Sequence, residues 1–183
     1  MRKIAISAGH SPKEPGAAGN GYKEELLAIE LRDLIVAELK ALGVSPIVDS
    51  NENALKASIA FFKNLLAIDS LVIDLHWNAS LSTQANGTEV LVPGEYNAFE
   101  YDLACAVSGT ITNILNTKPR GINGVKTELE SHHGRLGWMR LNGNNILIEV
   151  CFISNPLDME KYQKNKLSLA KQLALTFKKY SEK

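Results

Sequence analysis

The chain has 183 residues, which is the size of one ordinary domain and enough to bury a sizeable core. Hydrophobic residues make up 45% of it and charged residues 22%, and its 20 basic side chains equal its 20 acidic ones, so charge offers no case for binding nucleic acid or an anionic membrane surface. No apolar run reaches the roughly 18 residues that a membrane span needs, so membrane insertion is not expected.

The first half of the sequence alternates short apolar runs with segments of helical periodicity. Strands are predicted at residues 3–7, 44–48 and 70–75. A long amphipathic helix is predicted at residues 23–42, where leucines recur at helical spacing, and a second helix at residues 53–66. This alternation is typical of proteins with a parallel sheet.

The second half continues the same pattern. Strands are predicted at residues 87–92 and 145–152, and the latter is apolar on both faces, as a central parallel strand should be. Helices are predicted at residues 99–115 and 167–180. No internal repeat or long linker interrupts the chain. We therefore predict an α/β fold, a single domain over residues 1–183 with a mainly parallel twisted sheet of about six strands flanked by helices.

Four ionisable side chains do not fit the core that these elements predict. His10 follows the first strand, His76 follows the third, and Glu149 lies near the end of an otherwise apolar strand. The carboxyl ends of the strands in an open α/β sheet form its ligand crevice, so these three side chains are expected at one rim. Glu24, at the start of the long helix, follows a loop that is short enough to return it to the same rim.

Two histidines and one carboxylate form a known catalytic zinc set, and a second carboxylate beside the metal-bound water is the usual acid/base partner. Single residues also have ordinary explanations. A lone histidine after a strand is commonly a hydrogen-bonded loop residue, and a glutamate at a helix start is favoured by the helix dipole, whether it is Glu24 or Glu25. Glu149 is harder to explain in this way, because burying an unpaired carboxylate costs several kcal/mol.

The other two histidines, His132 and His133, are adjacent in a segment that contains serine and glycine. Adjacent side chains point apart, so the two cannot easily bind one ion. We predict that they are loop residues facing the substrate and are not metal ligands.

The cysteines and the N-terminus give no sign of a secreted, disulfide-rich protein. Cys105 and Cys151 are too few for a disulfide framework and are expected to pack as small apolar residues. The apolar stretch within residues 1–7 is too short for a signal peptide, so we expect the chain to be made in the cytosol.

Several of these residues stand in short motifs that follow one another along the chain. The motifs are Ile4-Ala5-Ile6-Ser7-Ala8-Gly9-His10, Gly21-Tyr22-Lys23-Glu24, Asp74-Leu75-His76-Trp77-Asn78-Ala79, Gly87-Thr88-Glu89-Val90, Arg120-Gly121-Ile122 and Ile148-Glu149-Val150-Cys151-Phe152-Ile153-Ser154-Asn155. In this order and at these distances they resemble the zinc-dependent N-acetylmuramoyl-L-alanine amidases of the Amidase_3 type, which occur among bacterial autolysins and phage endolysins.

This resemblance implies a substrate, a cofactor and a role for each residue. The substrate is the amide bond between N-acetylmuramic acid and L-alanine in peptidoglycan, the cofactor is one Zn²⁺, and the reaction lyses or remodels the cell wall. The resemblance makes His10, Glu24 and His76 the metal ligands and Glu149 the catalytic acid/base. The enzyme would reach the wall after release, as a phage lysin does, or by another export route.

The resemblance also distinguishes neighbouring residues. The apolar side chains three, five and seven positions after Glu24 match the family spacing, so Glu24 is favoured over Glu25 as the ligand. Position 74 is often a small residue in the family, but here it is Asp74, which shares a strand face with His76. Asp74 is expected either to orient the imidazole of His76 or to be a plain polar strand residue.

Substrate contacts are expected from the segments around the metal ligands. Trp77 and Asn78 are predicted to shape the substrate site beside His76. His132 and His133 are predicted to line the substrate groove.

Two other functions stay open on the sequence alone. One is a different zinc amidohydrolase, such as a carboxypeptidase, which would need a cation for the terminal carboxylate, and Arg120, Arg135 and Arg140 are candidates. The other is a catalytically inactive wall-binding module on the same fold. Binding alone needs no acid/base residue, so the presence of Glu149 argues against the second.

Overall fold

The computed structural model describes residues 1–132 and 134–183 and is built on one main sheet. Within those residues the chain forms eight strands: β1 Ile4–Ser7, β2 Ala18–Gly19, β3 Tyr22–Lys23, β4 Ile47–Val48, β5 Leu71–Asn78, β6 Glu89–Val92, β7 Val125–Thr127 and β8 Asn144–Phe152. The same residues form four α-helices: α1 Glu24–Ala41, α2 Leu55–Lys63, α3 Ala98–Leu115 and α4 Pro156–Ser181.

The main sheet has six strands in the order β4-β1-β5-β8-β6-β7. Strand β1 is parallel to β4 and β5, β5 is parallel to β8, and β6 is parallel to β7. The direction reverses once, where β6 runs antiparallel to β8. The predicted α/β fold with a mainly parallel sheet of about six strands is confirmed.

Buried residues of the central strands alternate between the two faces of the sheet; one face carries the larger core, and the other carries a smaller core and a third cluster around Leu91 and Leu147. The larger core includes Ile6, Ile73 and Ile148 and packs against side chains of α1, α3 and α4. The smaller core includes Ala5 and packs against Phe62 of α2. In β5 the even-numbered residues point to the face that carries the smaller core. The polar side chains of Asp74, His76 and Asn78 therefore lie on that face, after Val72 along the strand.

Strands β4 and β5 differ in length from the prediction. The strand predicted at residues 70–75 continues to Asn78, so His76 lies within β5 and not after it. The strand predicted at residues 44–48 is reduced to Ile47–Val48, because the backbone N–H of Val44 donates to the end of α1 and Pro46 has no N–H to donate.

The last helix begins 11 residues earlier than predicted, at Pro156 and not at residue 167. Asn155 is its N-cap, and its side chain accepts a hydrogen bond of 2.9 Å from the backbone N–H of Asp158. The sequence interpretation also missed the β2–β3 hairpin and the short edge strand β7, because elements of two or three residues carry no usable periodicity.

Both cysteines are free thiols that belong to the main core, as predicted. Cys151 is buried within it, and Cys105 packs against it from α3. None of the helices in residues 1–132 and 134–183 combines the length and the apolar character needed to cross a membrane.

Candidate metal and proton-transfer site

Three of the predicted site residues lie together at one end of the sheet. One donor atom from each of His10, Glu24 and His76 can be chosen so that all three lie within 4.8 Å of one another. Glu24 Oε1 is 3.4 Å from His10 Nε2 and 3.2 Å from His76 Nδ1. The structure thus brings a carboxylate and two imidazoles from three separate parts of the chain to a single point.

This donor set fits a catalytic zinc ion. Donor atoms that each lie about 2.1 Å from a tetrahedral zinc are about 3.4 Å from one another. The two separations measured from Glu24 Oε1 are close to that value. Two histidines and one carboxylate also leave the fourth zinc position to water or substrate, as catalytic zinc sites require.

Glu24 reaches this point because the β2–β3 hairpin folds back over the end of β8. Asn20, in the hairpin turn, donates from Nδ2 to the carbonyl of Ile153 at 2.8 Å. Helix α1 then begins at Glu24, whose carboxylate accepts hydrogen bonds from the backbone N–H groups of Ala17 at 2.8 Å and Trp77 at 2.9 Å. Main-chain donors therefore hold the carboxylate in place independently of any metal.

Two glycines allow the close packing around these side chains. Gly9 and Gly16 have positive φ angles of 66° and 69°. A Cβ atom on Gly9 would lie 2.5 Å from His76 Nε2, and one on Gly16 would lie 2.5 Å from Glu24 Oε2. Both positions therefore need glycine for backbone conformation and for space.

The close contact of these side chains shifts the pKa values of Glu24 and His76. Burial alone would raise the pKa of Glu24, but hydrogen bonds with His10 and His76 outweigh burial and hold that pKa well below its usual range. Burial alone would lower the pKa of His76, but the charge of Asp74 and the hydrogen bonds with Asp74 and Glu24 together outweigh burial and raise the pKa. A metal ion that binds here displaces protons from the imidazoles.

Glu149 lies beside the three donors. It pairs in register with His76 of β5 on one side and with Glu89 of β6 on the other. Burial raises the pKa of Glu149 to about 7; the charge of His76 opposes this rise and the charge of Glu24 adds to it. Its Oε2 is buried and has no hydrogen-bond partner in the described part of the chain. A carboxyl group with a pKa near neutrality can both accept and deliver a proton.

A second buried acid, Glu89, completes the site, and the sequence interpretation assigned it no role. Its Oε2 is 2.7 Å from Arg120 Nε and 2.7 Å from Lys126 Nζ. Burial alone would raise the pKa of Glu89, but hydrogen bonds from these two cations hold the pKa below its usual value. The signal that could have found Glu89 is the one that found Glu149, an acid within an apolar strand.

Trp77 departs from the prediction that it contacts substrate. Its side chain is only 2% exposed and packs edge-to-face on Tyr162 in the main core, with ring centroids 5.2 Å apart. Trp77 faces away from the site because it alternates with His76 along β5. Its contribution to the site is the backbone N–H that holds Glu24. Asn78, by contrast, shares the strand face of His76, and its role in substrate binding stays a prediction.

Of the two adjacent histidines, His132 lies in the described part of the chain. His132 is exposed and is not among the residues whose donor atoms come together. His133 lies outside the described residues. Their predicted contacts with substrate stay predictions.

Glu149 is expected to make the metal-free protein less stable as the pH rises. Because its folded-state pKa is about 7 instead of 4.5, the folded protein keeps a proton that the unfolded chain releases between these values. The penalty is absent below about pH 4.5 and complete above about pH 7. Glu149→Gln should therefore raise the free energy of unfolding at pH 8, by up to about 3 kcal/mol, and leave it unchanged at pH 4. Urea unfolding of both metal-free proteins measures this, and equal midpoints at pH 8 would contradict it.

Comparison with known proteins agrees with these features. The family model for Amidase_3, described as N-acetylmuramoyl-L-alanine amidase, matches residues 4–178. The N-acetylmuramoyl-L-alanine amidase LytC of Bacillus subtilis (strain 168) is 26% identical over 160 residues, which are 86% of this chain and 31% of LytC. The chain therefore spans about a third of the length of that relative.

Solved structures show the same fold. The N-acetylmuramoyl-L-alanine amidase AmiC2 of Nostoc punctiforme has a TM-score of 0.81 at 21% identity, covering 100% of this chain and 98% of its own. The catalytic domain of CwlV, an N-acetylmuramoyl-L-alanine amidase from Bacillus (Paenibacillus) polymyxa var. colistinus, has a TM-score of 0.80 at 19% identity, covering 100% and 99%. At these identities the likeness establishes the architecture.

Proposed function

Because the chain belongs to the Amidase_3 family, we propose that it hydrolyses the amide bond between N-acetylmuramic acid and L-alanine in peptidoglycan, using one zinc ion. The observation that carries this proposal is the convergence of His10, Glu24 and His76, with donor atoms within 4.8 Å of one another, beside the buried carboxyl of Glu149. Family membership supplies the substrate class, and these four side chains supply the chemistry.

Three atoms would hold the ion, namely His10 Nε2, Glu24 Oε1 and His76 Nδ1. A zinc ion bound there supplies a Lewis acid for the amide carbonyl and lowers the pKa of a bound water. Glu24 is already held by two main-chain N–H groups, so little rearrangement is needed to receive a metal.

Glu149 is the proton-transfer residue in this proposal. Its carboxylate accepts a proton from the attacking water, and its carboxyl then delivers that proton to the alanine nitrogen, which is a poor leaving group until it is protonated. In the metal-free protein, burial raises the pKa of this carboxyl to about 7, so the group can hold a proton near neutral pH.

The contrast between Glu149 and Glu89 supports this assignment. The two residues are directly paired across neighbouring antiparallel strands, so their side chains share one face. Arg120 and Lys126 keep Glu89 ionised, whereas burial favours the protonated form of Glu149. When two neighbouring carboxyl groups have different pKa values, the group with the higher pKa can carry a proton near neutral pH, and the group with the lower pKa stays negatively charged. Glu149 is therefore the carrier, and Glu89 is a fixed negative charge beside it.

Asn78 is the candidate for a direct substrate contact, because it lies two residues after His76 on the same face of β5. Its side chain also approaches Glu89, where a hydrogen bond from Asn78 helps to hold the pKa of that carboxyl below its usual value.

The surroundings of two of the three candidate arginines favour an amidase over a carboxypeptidase. Arg120 is bound to Glu89, and Arg140 is bound to the buried carboxylate of Glu128. A terminal carboxylate would have to displace one of these ion pairs to bind either arginine, and the third candidate, Arg135, is exposed to solvent. An inactive wall-binding module, in turn, would have no use for the acid Glu149, which is costly to bury.

Product analysis on purified peptidoglycan tests the proposal. The zinc-loaded protein should release peptides whose new amino terminus is L-alanine, and the glycan strands should keep their length. Exhaustive chelation should abolish this release, and added zinc should restore it. Release of a C-terminal amino acid without new L-alanine amino termini would indicate a carboxypeptidase, and sedimentation with the wall without any release would indicate a binding module.

A further inference from the structure

Asp74 is a buried carboxylate that contacts one of the candidate metal ligands on its outer side. Its Oδ2 is 3.1 Å from His76 Nε2, and its side chain is 2% exposed. It precedes His76 by two residues in β5, so both side chains point to the same face of the sheet.

This contact determines which nitrogen of His76 faces the site. Carboxylate oxygens accept hydrogen bonds, so a neutral imidazole that bonds to Asp74 carries its hydrogen on Nε2. Nδ1, which is 3.2 Å from Glu24 Oε1, is then left with a free lone pair. Asp74 thereby selects the tautomer of His76 that can bind a metal at this point.

His10 is also fixed by a hydrogen bond on its outer side, but through the other ring nitrogen. Its Nδ1 is 2.8 Å from the carbonyl oxygen of Glu14, so that nitrogen carries the hydrogen and Nε2 faces Glu24 Oε1. The two imidazoles thus present different nitrogens to the same carboxylate oxygen, and each is fixed from behind by an acceptor. The acceptor for His10 is a neutral carbonyl, whereas the one for His76 is an anion.

The rest of the environment of Asp74 does not explain why an acid is there. Its Oδ1 is buried and has no hydrogen-bond partner among the described residues, so the carboxylate is incompletely satisfied. A half-satisfied buried carboxylate costs stability. A residue that served only as part of the strand would be better satisfied by a smaller or neutral side chain.

We propose that Asp74 is a positioning residue that fixes His76 with Nδ1 toward the metal and, through its negative charge, strengthens zinc binding. This inference rests on the zinc site of the proposed function. Outer partners of metal-bound histidines typically change metal affinity by about 10–100-fold, so removing Asp74 should weaken zinc binding by a factor in that range.

Asp49 offers a matched control. It is a largely buried carboxylate whose pKa is raised by burial and, to a smaller extent, by the charge of Asp74, and it accepts a hydrogen bond from Ser58. Asp49→Asn therefore removes a negative charge close to Asp74 but leaves the hydrogen bond between Asp74 and His76 in place.

The experiment measures zinc dissociation constants by chelator competition for wild type, Asp74→Ala, Asp74→Asn and Asp49→Asn. Asp74→Ala should bind zinc about 10–100-fold more weakly than wild type. Asp74→Asn, which keeps the shape and an acceptor oxygen but not the charge, should fall between the two, and Asp49→Asn should bind like wild type. Asp74→Asn also serves as the test if Asp74→Ala does not fold.

A second readout separates positioning from a general loss of stability. In the zinc-loaded wild type, nitrogen NMR of His76 should show a slowly exchanging proton on Nε2 and the metal on Nδ1. Asp74→Ala should lose the slow exchange, and Asp49→Asn should keep it. If Asp74→Asn bound zinc as tightly as wild type, or if the metal lay on Nε2 of His76, this inference would be overturned but the proposed metal site would not. Failure of the wild type to bind zinc would overturn the proposed metal site as well.

Discussion

Replacing Glu149 by glutamine is expected to slow the release of L-alanine-terminated peptides from cell wall by about 10²–10⁴-fold, the usual contribution of a general acid/base group. Glutamine has nearly the shape of glutamate and can still hydrogen-bond, so the fold should persist. Its amide cannot accept the proton of water or deliver one to the alanine nitrogen. The measurement pairs the rate of peptide release with the zinc content of the purified variant.

Glu25→Gln is the matched control for this experiment. Glu25 is also a buried carboxylate with an unpartnered Oε2 among the described residues, but it is not one of the three gathered donors. Its replacement should leave peptide release close to the wild-type rate. If Glu149→Gln loses zinc, Glu149 is a metal ligand, and if the variant still hydrolyses cell wall at nearly the wild-type rate, the proton role is wrong.

Much of the candidate site could be predicted because its residues conflict with their surroundings in the sequence. Glu149 is an acid in a strand that is otherwise apolar, and His10 and His76 stand where apolar strands give way to polar residues. Such positions are costly unless a function retains them. The α/β architecture makes the same residues converge, since the strands β1, β5 and β8 are neighbours and parallel.

The sequence could not assign side chains to faces where strand ends were misplaced. Ending β5 at residue 75 left Trp77 and Asn78 in a predicted loop, where both could contact substrate. In the structure β5 continues through them, and strict alternation buries Trp77 while Asn78 stays on the face of His76. One strand boundary therefore decided whether Trp77 belongs to the site or to the core.

Ion pairs between distant segments could not be predicted from the sequence either. Glu89, Arg120 and Lys126 are separated by up to 37 positions, and their contact depends on the pairing of β6 with β7. Strand β7 is only three residues long, which is too short for a periodic pattern that would predict it. The motifs that contain Glu89 and Arg120 were visible in the sequence, but the contact of Glu89 with Arg120 and Lys126 was not.

Removing the carboxylate of Glu24 is expected to abolish stable zinc binding. Glu24 Oε1 lies 3.4 Å from His10 Nε2 and 3.2 Å from His76 Nδ1, so no other side chain in the three-donor group can replace it. Losing an outer partner of a metal ligand typically weakens metal binding by up to about 100-fold. Glu24→Ala removes a ligand itself, so it should weaken zinc binding by more than that factor. Elemental analysis after dialysis against a weak chelator measures the zinc that remains.

Glu25→Ala is the control that separates the two adjacent acids. Consecutive helical residues point in different directions, and Glu25 Oε1 is 4.0 Å from Lys23 Nζ on the other side of the helix start. This variant should therefore keep close to one zinc per chain and most of its activity. The reverse pattern, with zinc retained in Glu24→Ala and lost in Glu25→Ala, would show that Glu25 is the ligand. Loss in both would indicate that the start of α1, and not one carboxylate, forms the metal site.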